Sequence, residues 1–68
     1  MLNDLPAHIS HARKPGRYIG TEPDTGVEWF IRHLGGTYFA RRFNEPTALE
    51  FPSLAEISRK LIKDAHHA

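Results

Sequence analysis

Val27-Glu28-Trp29-Phe30-Ile31-Arg32-His33-Leu34-Gly35-Gly36-Thr37-Tyr38-Phe39-Ala40-Arg41-Arg42-Phe43 is the stretch that decides the fold of this chain. Two aromatic-rich runs flank a Gly-Gly pair, the pattern of two strands joined by a tight reversal. Side chains alternate across a strand, so Val27, Trp29, Ile31 and His33 share one face, and Glu28, Phe30, Arg32 and Leu34 share the other. A two-residue and a four-residue loop have the same parity. Both put Tyr38, Ala40 and Arg42 beside the Trp29 set, and Thr37, Phe39, Arg41 and Phe43 beside the Phe30 set. The four-residue loop would set Phe30 opposite Phe39 and Glu28 opposite Arg41, which are favourable cross-strand pairs. A bulge at the glycines would undo the assignment.

Working outward, Arg17-Tyr18-Ile19-Gly20-Thr21 reads as an earlier strand. Glu22-Pro23-Asp24-Thr25-Gly26 supplies the turn chemistry that joins it to the next one. Asn44-Glu45-Pro46 closes the third strand, and Ala48-Leu49-Glu50-Phe51 is an extended connector with room for a short edge strand. Ser53-Leu54-Ala55-Glu56 matches a capping box. Beyond it, Leu54, Ile57, Leu61, Ile62 and Ala65 form an apolar stripe, while Glu56, Arg59, Lys60 and Lys63 stay wet and Glu56 pairs with Lys60. The helix should run to about residue 65. Residues 1–16 form an arm or a short helix capped by Asp4, with Leu5, Ile9 and Ala12 at helical spacing, before Lys14-Pro15-Gly16 breaks the chain. The expected architecture is an α+β domain over residues 17–68. It consists of a three-stranded antiparallel sheet packed against one C-terminal helix, in the order β-β-β-α.

Composition bounds the function. A chain of 68 residues buries roughly 60% of its unfolded surface, and with no cysteine neither a disulfide nor a thiolate zinc site can supplement the core. Charged content of 25% beside 40% hydrophobic content fits a folded domain. The net charge of +1 excludes a strongly basic nucleic-acid binder and an acidic nucleic-acid mimic alike. The N-terminus lacks a basic region followed by an apolar core, and no run nears the roughly 20 apolar residues of a membrane span. A cytoplasmic protein is the expectation.

The Trp29 face has the greater continuous apolar area and is expected to pack on Leu54, Ile57 and Leu61. The second face carries Phe30 and Phe39 flanked by Arg32 and Arg41, with Arg17 on the neighbouring strand. Rings beside guanidinium groups can stack bases and contact phosphates, and the same residue types make protein hot spots. A third reading covers the face with Leu2, Leu5 and Ile9 from the N-terminal segment.

The run Trp29-Phe30-Ile31-Arg32, the glycine turn, Phe39-Ala40-Arg41-Arg42-Phe43, and Phe51-Pro52-Ser53-Leu54-Ala55-Glu56-Ile57 opening the helix together resemble the small arm-type DNA-binding domains of phage and transposon tyrosine recombinases. That resemblance spans about half the chain. It implies a sheet laid into the major groove of duplex DNA with Arg32 and Arg41 facing it. The expected function is therefore a non-catalytic binding module. Its partner is duplex DNA or, alternatively, a protein: a second copy in a homodimer, or a host protein inhibited by a phage or plasmid accessory factor.

Other chemistry is not indicated. His8 and His11 would lie one helical turn apart and His66-His67 close the chain, but nothing converges them into a zinc site. His33 reads as a polar edge residue beside Tyr38. Ser10 with His11, or Ser53 with His66, are neighbours in sequence without nucleophile–base geometry. Gly35-Gly36 lies between strands and so forms no phosphate-cradling loop before a helix. No metal, cofactor, small-molecule substrate or enzymatic activity is expected.

Overall fold

The computed structural model describes residues 5–66, and the side chains of residues 5–62. Five strands, β1 (Ile9–His11), β2 (Arg17–Thr21), β3 (Glu28–Leu34), β4 (Thr37–Arg42) and β5 (Leu49–Phe51), precede the single helix α1 (Leu54–His66). Each strand pairs antiparallel with its sequence neighbour, giving the order β1-β2-β3-β4-β5. The class is α+β, but the expected three-stranded sheet is overturned: a short strand is added at each edge.

The first addition stands where an N-terminal arm or short helix was expected. A short isolated helix has little stability of its own, whereas a strand here pairs with the otherwise open edge of β2. His8 takes φ +67° and Ile9 N–H donates to the Pro6 carbonyl at 3.3 Å, a turn that delivers Ile9 opposite Gly20. Leu5 and Ile9 then join the helix-side core, and Ser58 Oγ donates to the Ala7 carbonyl at 2.8 Å, tying this segment to α1. Asp4, the expected cap, lies outside the described residues. The second addition, β5, pairs Phe51 with Tyr38 and Leu49 with Ala40. Pro46 and Pro52 bracket it, and their missing N–H groups keep this edge short.

The central hairpin closes through two residues. Leu34 faces Thr37, and Gly35 and Gly36 both take positive φ, 53° and 83°, which the tight primed turn demands and a Cβ would oppose. The facing pairs are therefore Phe30 with Arg41 and Arg32 with Phe39. The Phe30–Phe39 pairing of the four-residue loop does not occur, although both loops give the same faces.

On the helix side, Trp29, Ile31 and Ala40 are buried with Ile9, Ile57 and Leu61, and Leu54, Tyr18, Tyr38 and Phe51 pack around them. Ser53 Oγ accepts the Glu56 N–H at 3.3 Å. The Glu56 carboxylate turns to Arg59, 3.1 Å away, so the box is not reciprocal as expected. The Ala65 and Lys63 side chains lie outside the described residues. Gly20 lets α1 approach β2, since a Cβ there would stand 2.9 Å from Leu61 Cδ1 and 3.4 Å from Ile31 Cδ1. Gly20→Val should therefore lower stability by about 1–3 kcal/mol through overpacking, read as a lower urea midpoint at unchanged slope.

A buried ionic cluster locks the β2–β3 turn. Glu22 is only 2% exposed. Its carboxylate accepts from Trp29 Nε1 at 2.7 Å, Thr25 Oγ1 at 2.7 Å, and Arg42 Nε and Nη2 at 2.7 and 3.2 Å. The Arg42 hydrogen bonds, then those from Thr25 and Trp29, outweigh burial and hold the carboxyl down at about 2. Residues 20 and 22 share a parity, so Glu22 falls on the helix side with Trp29 and Arg42.

Candidate functional site

The face away from α1 is built row by row from the strand registers. One row runs Ser10, Ile19, Phe30 and Arg41; the next runs Arg17, Arg32, Phe39 and Glu50. Leu34 and Thr37 lie beyond the second row, while Thr21 and Glu28 lie beyond the first. Ala12 and Ala48 flank the opposite sides of a depression of about 500 Å³ that Arg17, Ile19, Phe30, Arg32, Phe39 and Arg41 also line. All five residues expected to form a binding face therefore share one surface.

Among the described residues, the N-terminal segment does not cover that surface. Leu5 and Ile9 pack into the core on the other side of the sheet, and Leu2 lies outside the described residues. Phe30 and Phe39 remain half-buried, and the largest exposed apolar side chains include Leu34 and Phe43, each 52% exposed.

The five residues divide by what already engages them. Arg41 Nη1 donates to the Glu45 carbonyl at 3.0 Å, and its guanidinium carbon sits 5.4 Å from the Phe30 ring centre. Phe30 also meets the edge of Phe43, with centres 6.3 Å apart. Arg17 and Arg32 face each other directly across β2 and β3, and among the described residues neither guanidinium group has an ion-pair or hydrogen-bond partner. Phe39, next in that row, has no ring or guanidinium partner among the described residues. Like charges in directly opposed positions are unfavourable. Among the described residues no side chain offsets this repulsion.

Two features of this face were not singled out in the sequence. Ile19 fills the apolar floor between Ser10 and Phe30, and Glu50 closes the Arg17 row. Ile19 shares the face of Arg17 by strand parity once the β2–β3 register is known; Glu50 required knowing that β5 pairs with β4.

The histidines and serines have structural settings. His33 stacks on Tyr38 with ring centres 4.1 Å apart and planes 5° from parallel, and His11 lies against Tyr18 at 5.3 Å. Ser10 and His11 are consecutive in β1 and point to opposite faces, opposite Ile19 and Tyr18 respectively, so they form no nucleophile–base pair. Ser53 is the helix cap, and the His66 side chain and His67 lie outside the described residues. Among the described residues no three His, Asp or Glu side chains gather to hold a metal ion, and no helix is long and apolar enough to cross a membrane. No protein-family model, curated protein or solved structure matches this chain.

Proposed function

We propose that the open face of the sheet binds single-stranded nucleic acid as a non-catalytic module. The observation that carries this reading is the directly opposed Arg17–Arg32 pair, unpartnered among the described residues, beside the unstacked ring of Phe39. Guanidinium groups without counter-charges suit phosphate. An accessible ring suits a base, and base–aromatic stacking is worth about 1–3 kcal/mol per base.

The width of the sheet favours a single strand over the duplex. Four interstrand spacings of about 4.8 Å make a surface about 19 Å across. The major groove is about 12 Å wide and admits a helix or a two-stranded ribbon. A three-stranded sheet with protruding edges approaches that limit, and a five-stranded one with a depressed centre exceeds it. Unpaired bases, by contrast, can splay onto a broad sheet.

Fluorescence anisotropy of a labelled mixed-sequence single strand of roughly ten nucleotides tests the reading. Binding should weaken with salt, and Arg32→Ala should reduce the magnitude of the log–log salt slope by about 0.7, one phosphate contact to a single strand. Arg17→Glu should bind still more weakly while raising stability by about 0.2–1 kcal/mol, because a repulsive cross-strand pair becomes an attractive one. Undiminished binding by Arg17→Glu, or equal affinity for duplex, would contradict the proposal.

A protein partner, a second copy or a host factor, is the competing reading, favoured by the exposure of Leu34 and Phe43 at the margins of the face. It would make Phe30→Ala and Phe39→Ala the dominant losses, with little dependence on salt.

A further inference from the structure

Within the nucleic-acid reading, on which this inference rests, we propose that Arg17, Arg32, Phe39 and Glu50 form a subsite for one nucleotide that selects bases carrying an exocyclic amino group. The four residues are successive cross-strand neighbours on β2, β3, β4 and β5. Three interstrand spacings separate the first from the last, about 14 Å, a span suited to one extended nucleotide with its phosphate at one end and its base edge at the other.

Each end of the row has a different chemistry. Arg17 and Arg32 offer a fork of donors to a phosphate, with no competing partner among the described residues. Phe39 comes next, with its Cβ about 5 Å from that of Arg32, as for any directly opposed pair. A base stacked there has its edge directed along the row toward Glu50. The Glu50 side chain is exposed and makes no hydrogen bond or ion pair among the described residues.

An ionised carboxylate accepts hydrogen bonds and donates none. It therefore accepts from the N4 amino group of cytosine, as acidic side chains do in base readout. The O4 carbonyl of uracil at the same place presents a second acceptor, so the contact becomes repulsive. Arg41 and Phe30, already engaged with each other, lie in the adjoining row and leave the Phe39 ring as the accessible platform. The carboxylate also sits at the far end of the row from the phosphate, where it repels the backbone least.

Affinity of equal-length oligodeoxycytidine and oligodeoxyuridine, measured at one salt concentration and neutral pH, tests this assignment, because the two differ at the base edge and not in backbone or ring size. The intact protein should prefer cytosine by about tenfold, the scale of a good base-edge contact. Glu50→Gln can both donate and accept, and should bring the two oligomers within about twofold by holding uracil as tightly as before or more so. Equal affinity in the intact protein, with binding still dependent on Arg17 and Arg32, would overturn the base-edge assignment and leave the nucleic-acid reading standing. A cytosine preference that survives in Glu50→Gln would overturn the role of Glu50. Binding of neither oligomer would overturn the underlying reading and this inference together.

Discussion

Trp29→Ala is expected to cost about 3–5 kcal/mol of stability, the largest effect of any single substitution considered. Trp29 is 3% exposed and packs in the layer between the sheet and α1, so truncation leaves a cavity that the neighbouring strands can only partly close. It also removes the indole donor to Glu22, leaving a buried carboxylate with one fewer hydrogen bond. A domain of 68 residues has on the order of 3–10 kcal/mol in total, so much of the population should unfold at ambient temperature. Far-UV circular dichroism during urea unfolding reads this without the lost fluorophore. Trp29→Phe separates the two contributions. It keeps most of the packing, loses the donor, and should cost about 1–3 kcal/mol. A well-folded Trp29→Ala protein of unchanged stability would contradict the assignment of the two sheet faces.

The second large effect is a pH-dependent stability centred on Glu22. Its carboxyl titrates at about 2 in the folded chain against 4.5 ordinarily. A depressed folded pKa contributes stability that is fully present above the unfolded value and is lost as pH falls through the folded one. For Glu22 the window runs from about pH 4.5 down to about pH 2. The shift corresponds to on the order of 3 kcal/mol at neutral pH. Glu22→Gln mimics the protonated acid, so comparing it with the intact protein isolates this group from every other carboxylate. Urea midpoints should place the variant well below the parent at pH 7, and the gap should shrink to a few tenths of a kcal/mol near pH 2. A gap independent of pH would mean that Glu22 acts through packing alone.

The same cluster shows where local sequence patterns stop being informative. Strand parity and the Gly-Gly turn were enough to place Trp29 inward and Phe30 outward, because a hairpin register couples every residue to its neighbours with a period of two. The capping serine and the apolar stripe of α1 were legible for a similar reason: helix ends and faces are local. The pairing of Glu22 with Arg42, twenty residues apart, depends on β2 and β4 flanking β3. At the level of the turn motif Glu22 was only one of several polar residues. The β1 strand was hidden by its length, and β5 was legible only as an extended connector with room for a short edge strand. Three-residue segments such as Ile9–His11 and Leu49–Phe51 have too few positions to show alternation, and tertiary pairing creates them.

That omission changed the functional picture more than the core did. With three strands, the Phe30 face suggested insertion into a groove. With five, it becomes a broad floor flanked by Ala12 and Ala48, and Glu50 joins the row that begins at Arg17. The candidate residues stayed together, since Phe30, Arg32, Phe39 and Arg41 follow from hairpin parity and Arg17 joins them through the β2–β3 register. What parity does not reveal is which of them are already engaged. Arg41 and Phe30 contact one another, while the side chains of Arg17, Arg32 and Phe39 have no hydrogen-bond, ion-pair or ring partner among the described residues.

The open face, and not the helix side, is the proposed binding surface. A two-dimensional amide NMR titration of the labelled protein with a mixed-sequence single-stranded oligonucleotide, at low and at moderate salt, tests it most directly. Shifts should concentrate on Arg17, Ile19, Phe30, Arg32 and Phe39 and fade as salt rises, with α1 quiet around Ile57 and Leu61. Shifts centred on α1, or an unchanged spectrum at low salt, would contradict it.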